Sequence, residues 1–185
     1  MNSTKETDQI REDNWIKPLI VGAILGAVLP FVFNIIYQAY QDEKLVISMA
    51  NDLLYEINRN QENVSTASTT LASIGDFRRP NKATIIANEE FLFSDFYDLY
   101  FSQKKLSLFD NQTRYSIITY YGNMRVLKVR IKALEEMLKA YYSDPPGASM
   151  ENINDRIASV RDTSATLISQ GDDVKDMIKD TVLSK

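Results

Sequence analysis

Cysteine and histidine are both missing from this 185-residue chain. Without cysteine there are no disulfides, thiolate metal sites or thiol nucleophiles. Without histidine the commonest general base and the commonest transition-metal ligand are gone. A metal would have to be a hard cation held by carboxylates. Glycine is scarce at six residues, and no glycine-rich phosphate loop or nucleophile motif is present, so the sequence predicts no catalytic residue and no cofactor. A basic excess is lacking as well. The 21 Lys and Arg against 25 Asp and Glu leave a net charge of −4, which argues against nucleic acid as a partner.

What the chain does contain is one long apolar run. From Pro18 to Gln41 there is no Asp, Glu, Lys or Arg, and most residues are aliphatic or aromatic. As a helix this run reaches roughly 36 Å, enough to cross a hydrocarbon core of about 30 Å. Trp15 at one end and Tyr37 and Tyr40 at the other match the aromatic belts of the two membrane interfaces. The apolar stretch is longer than a signal-peptide core and ends without a small-x-small cleavage site, which favours an uncleaved anchor. Lys5, Arg11 and Lys17 precede the run, whereas Lys44 and Arg59 follow it within counting distance. By the positive-inside rule that margin, three against two, leans the soluble part to the outside of the cytoplasm.

Within the run, Gly22, Gly26, Pro30 and Asn34 recur every four residues. Small residues let a second helix approach closely, and Asn34 is costly against lipid unless it finds a hydrogen-bond partner. These four are the expected membrane-helix contacts. Pro30 cannot donate to the carbonyl of Gly26, so a kink is expected there.

Past Asp42 the apolar positions Leu45, Met49, Leu53, Ile57 and Val64 keep helical spacing, and no Gly or Pro intervenes between Pro30 and Gly75. The membrane helix is therefore expected to continue into the first soluble helix. Gly75 to Lys82 reads as a basic, exposed connection. After an aromatic segment from Phe91 to Phe101 and a polar break at Gln103 to Lys105, Asp110 is the expected N-cap of a helix over Asn111–Tyr142. In it, Ile117, Met124, Ile131 and Leu138 alternate with Tyr120, Leu127, Leu134 and Tyr141 in a strict 3-4 spacing, a coiled-coil-like seam within one bundle or between chains. Ser149 is the expected cap of a last helix, with an interruption at Gly171. The reading is all-α: a polar tail over 1–14, a transmembrane helix over 15–41, and an antiparallel bundle of about three to four helices over 42–185.

The stretch Leu53-Leu54-Tyr55-Glu56-Ile57-Asn58-Arg59-Asn60, with Phe96-Tyr97-Asp98-Leu99, Lys105-Leu106-Ser107-Leu108-Phe109-Asp110 and Tyr120-Tyr121-Gly122-Asn123-Met124, resembles a diffuse group of uncharacterised single-pass prokaryotic membrane proteins. The resemblance spans about Leu19 to Leu138. It implies an N-terminal anchor, a helical soluble domain and a prokaryotic source, and carries no chemistry.

Paired carboxylates are the only catalytic raw material: Glu89 with Glu90, Asp95 with Asp98, Glu135 with Glu136, and Asp172 with Asp173. Adjacent helical residues point about 100° apart, so only Asp95 and Asp98 share a face, and solvated helix surface is the better reading for all of them. Arg125, Lys128 and Lys132 form a basic row on the long helix, read as lying opposite its seam. With the loop residues Arg78, Arg79 and Lys82, they are candidate contacts for lipid headgroups or an acidic partner. The aromatics from Phe91 to Phe109 read as core in preference to a ligand pocket, so a small-molecule ligand is disfavoured.

The expected function is a non-enzymatic, single-pass, membrane-anchored interaction protein, an accessory or scaffold subunit whose partners are the bilayer and another protein or a second copy. A membrane-anchored sensory bundle and a phage-type lysis factor are the alternatives.

Overall fold

The computed structural model describes residues 4–73, 92–143 and 150–184, with side chains at 22–69, 71, 92–141 and 151–184. Every regular element among them is helical. Helix α1 covers Thr4–Ser73, and neither Gly26 nor Pro30 ends it. The Ser- and Thr-rich stretch before its C-terminus stays helical, with the hydroxyls of Thr66 and Thr69 donating to the carbonyls of Glu62 and Ser65 at 2.9 Å. The chain divides into two units, Met1–Leu45 and Val46–Lys185. The first is the apolar part of α1, where residues 22–44 are all exposed. The second is a helical bundle.

The bundle packs α1 from Val46 onward with α2 (Asp95–Ser102), a 3₁₀ turn (Lys105–Leu108), α3 (Asn111–Ser143) and α4 (Met150–Ile178), which ends in a π turn at Lys179–Leu183. Cross-helix bonds fix the directions. Phe93 and Phe96 meet Asn60 and Glu56 in reverse order, so α2 runs antiparallel to α1. Glu56 meets Tyr121 and Asn60 meets Met124, so α3 runs parallel to it. Thr113 meets Thr181, Asn123 meets Gln170 and Arg130 meets Ser159, so α4 runs antiparallel to α3. The order is up-down-up-down.

The expected seam of α3 is the core of this bundle as far as Leu138, and Tyr141, its last expected member, is half-buried. Ile117, Tyr120, Met124, Leu127, Ile131, Leu134 and Leu138 are buried, facing Met49, Leu53 and Ile57 of α1 and Ile153, Val160, Leu167, Val174 and Ile178 of α4 on the bundle's inner faces. A 3-4 repeat buried within one chain is intramolecular packing. Asp110 caps α3 as expected: its carboxylate accepts the amides of Gln112 and Thr113 at 2.9 and 3.1 Å. The Thr113 side chain first, and then these amides, hold the Asp110 carboxyl below its usual range.

One expectation fails. Gly171 does not interrupt α4, which is continuous through it. A side chain at Gly171 would meet the Gln61 side-chain amide at 2.6 Å, and that amide donates to the Ile168 carbonyl at 2.6 Å and the Asp172 carboxylate at 3.1 Å. The glycine leaves room for α1 to bond α4, so its cause is long-range contact, not local helix breaking. Ser149 and the connection from Gly75 to Lys82 lie outside the described residues.

Candidate functional site

Three polar residues spaced four apart on α1, Asp52, Glu56 and Asn60, form a ladder along one face and hold α2 in place. At the top, the buried Asn60 amide takes both backbone groups of Phe93, accepting its N–H at 2.7 Å and donating to its carbonyl at 2.8 Å. The same amide nitrogen lies 3.3 Å from the Met124 sulfur. In the middle, each Glu56 oxygen accepts from a different element. Oε2 takes the Phe96 amide in the first turn of α2 at 2.8 Å, and Oε1 takes the Tyr121 hydroxyl of α3. At the bottom, the Tyr100 hydroxyl donates to Asp52.

The electrostatics follow from burial. Glu56 is 2% exposed, and desolvation pushes its carboxyl above the usual range even though Tyr121 and the α2 amides pull it down. Burial also raises Tyr121, with the Glu56 charge adding to the effect, and raises Tyr100 to about 12 with help from Asp52. The Tyr121 ring stacks on Tyr97 at 4.2 Å between centroids and meets Tyr120 edge-on at 5.1 Å. The Tyr120 hydroxyl, buried beside Asn60, makes no hydrogen bond among the described residues. With Glu56 and Asn60 buried and Asp52 half-buried, the ladder is a clamp that joins α1, α2 and α3.

No sequence expectation singled out this ladder. The signal was nonetheless present. Glu56 and Asn60 fall on the stripe that Leu53, Ile57 and Val64 define, and a polar residue at a core position implies a specific buried partner.

The sequence-predicted contacts are scattered. Gly22, Gly26, Pro30 and Asn34 all lie exposed on α1, and nothing comes within 4 Å of a side chain built at either glycine. Arg78, Arg79 and Lys82 lie outside the described residues, as do Glu89 and Glu90. Arg125 bonds Asp98 of α2 at 2.8 Å and sits 5.7 Å from the Tyr97 ring, while Lys132 is exposed. Lys128 is half-buried, so the basic row does not lie opposite the seam. That outward face carries Tyr115, Ile118, Gly122, Val126 and Val129 instead, all exposed, with Arg125 and Lys132 along one flank. Tyr121, buried against Tyr97 of α2, widens the buried face on the side of the helix where Lys128 falls two turns later. Arg130 reaches α4, bonding the Ser159 hydroxyl at 2.9 Å and Thr163.

The aromatic segment is core only in part: Tyr97, Tyr100 and Phe109 are buried, Phe93 and Phe96 are half-buried, and Phe101 is exposed. A cleft of about 130 Å³ opens between α3 and α4, beside Tyr115, Thr119, Gln170, Asp173 and Met177. That is small against the roughly 300 Å³ of even modest ligand pockets. Asp98 is spent on Arg125 and Asp172 on Lys175, which holds the Asp172 carboxyl below its usual range. Among the described residues no group of acidic side chains is placed to hold a metal ion. No protein family, curated protein or solved structure matches the chain.

Proposed function

We propose that this chain is a single-pass, membrane-anchored helical interaction protein without catalysis of its own, acting as an accessory or scaffold subunit. One observation carries the reading. The described part of α1 contains a window apolar enough to cross a membrane, and 0% of that window is buried. A core helix of that composition would be covered by its own chain, and here the bundle from Val46 onward closes its core without it. Leaving such a surface in water is prohibitive at about 25 cal/mol per Å², so lipid is its fitting solvent.

The partner-binding part of the reading rests on the outward face of α3. Tyr115 is 72% exposed and Val129 68%, and these two with Ile118, Gly122 and Val126 recur at three- and four-residue spacing over about four turns. The inner seam is already satisfied, so this second apolar row is free to meet a helix whose acidic rim would face Arg125 and Lys132. Replacing Val126 and Val129 together by Asp should weaken a detergent-purified complex or oligomer while leaving the thermal midpoint within about 0.5 kcal/mol of the parent's stability. Replacing Gly22 and Gly26 by Ile tests the membrane contact in the same assay. An assembly indifferent to both changes would refute the interaction reading.

A further inference from the structure

Resting on the membrane-anchored reading above, we propose that the turn between α2 and α3 is a second membrane contact, in which Phe101 and Leu108 dip into the bilayer interface beside the anchor. Helix directions within the bundle place the turn. Tyr100 pairs with Asp52, Phe93 pairs with Asn60 eight residues further along α1, and Thr113 pairs with Thr181. The end of the bundle that carries Val46 therefore also carries the 3₁₀ turn, the start of α3 and the end of α4. Residues 41–45 join Val46 to Tyr40, and even fully extended that link reaches only about 20 Å. The covalent chain thus tethers Val46, at this end of the bundle, to Tyr40 within that distance.

The turn is built to present apolar groups outward. Leu106 and Phe109 point inward, 3% and 4% exposed, and pin it to the bundle. Phe101 and Leu108 point out, 53% and 37% exposed. Between them Lys104 adopts a left-handed backbone, φ 56°, and its amide closes back on the Phe101 carbonyl at 3.0 Å, while the Ser107 hydroxyl bonds the Lys104 carbonyl at 2.8 Å. Ile47 and Leu183, also exposed, lie at the same end. Lys104, Lys105, Arg114 and Lys179 are the cations there, against Asp110, Asp176 and Asp180. An apolar pair flanked by lysines whose stems reach up to headgroups is the composition of an interfacial contact. The small net charge makes it depend on apolar burial more than on anionic lipid.

The chain's single tryptophan makes the test direct. The full protein is reconstituted in phosphatidylcholine vesicles containing one of two lipids brominated at known acyl depths. In the parent, Trp15 reports on the anchor. In a Trp15→Phe background, Phe101→Trp reports on the turn, Leu108→Trp repeats it should the first variant misfold, and Ala158→Trp, roughly 34 Å along α4 from Thr181, is the distant control. The expected result is blue-shifted emission at Phe101→Trp, quenched by roughly half by shallow bromines, with Ala158→Trp unquenched. Quenching of Trp15 without quenching at either turn position would leave the anchor standing and overturn this inference, and blue-shifted but unquenched emission there would assign the turn to a second copy. Equal quenching at Ala158→Trp would overturn it in favour of a bundle lying along the membrane. Absence of quenching at Trp15 and the turn alike would refute the anchor itself.

Discussion

The clamp makes a quantitative claim about Asn60. Helix α2 has eight residues, too few to be stable alone in water, so its order depends on tertiary ties. Asn60→Ala removes two bonds to the Phe93 backbone, each worth about 1 kcal/mol net, and leaves those part-buried groups unsatisfied, for a total of about 2–4 kcal/mol. In local opening that corresponds to faster amide exchange by about 30- to 1,000-fold. Hydrogen exchange with mass spectrometry on the full chain in detergent should show this acceleration in peptides over 92–103, with peptides over 151–170 unchanged. Asn60→Asp keeps an acceptor for the Phe93 amide but loses the donor and adds a buried charge, so it should be at least as damaging despite its matched size. Unchanged exchange over α2 in both variants would refute the clamp.

Tyr121→Phe takes the side-chain donor from the buried Glu56 carboxylate and should cost about 1.5–3 kcal/mol in denaturant unfolding. Because burial holds the folded Glu56 pKa above the unfolded 4.5, its contribution to stability is full below pH 4.5 and declines as pH rises through the folded value; Glu56→Gln should remove that decline from a stability–pH profile. Asp110 has the opposite sign, its lowered pKa giving stability that is present above 3.8 and lost as pH falls, a loss that Asp110→Asn should abolish. Gly122→Ala, in open space, should stabilise by about 0.5–1 kcal/mol, whereas Gly171→Ala should forfeit that gain by displacing Gln61; equal midpoints for the two would argue against the α1–α4 bond. Ile131→Asp should abolish cooperative unfolding, since its position is 8% exposed, while Lys128→Asp should cost far less.

The parts of this fold that were legible are those set by local period and local chemistry. The α3 seam from Ile117 to Leu138 is a repeating apolar signal, and the Asp110 cap acts within three residues of itself. Contacts between distant segments left weaker marks. Glu56 and Asn60 carry no local sign of their role because their partners, Phe96, Phe93 and Tyr121, are distant in sequence. Gly171 read as a break because helix propensity is local, whereas its cause is Gln61 on another helix. The outward row of α3 is hidden in the sequence for a related reason: the seam alone does not show that Tyr121, at no seam position, widens the buried face.

The central claim is that α1 crosses the bilayer once and leaves the bundle on one side. A chain without cysteine allows single labels to be placed unambiguously, at Ser3 and at Ser184. Labelled in intact cells and in inverted vesicles with a membrane-impermeant maleimide, the two positions should react from opposite sides of the membrane. Reaction of both from the same side would contradict the account.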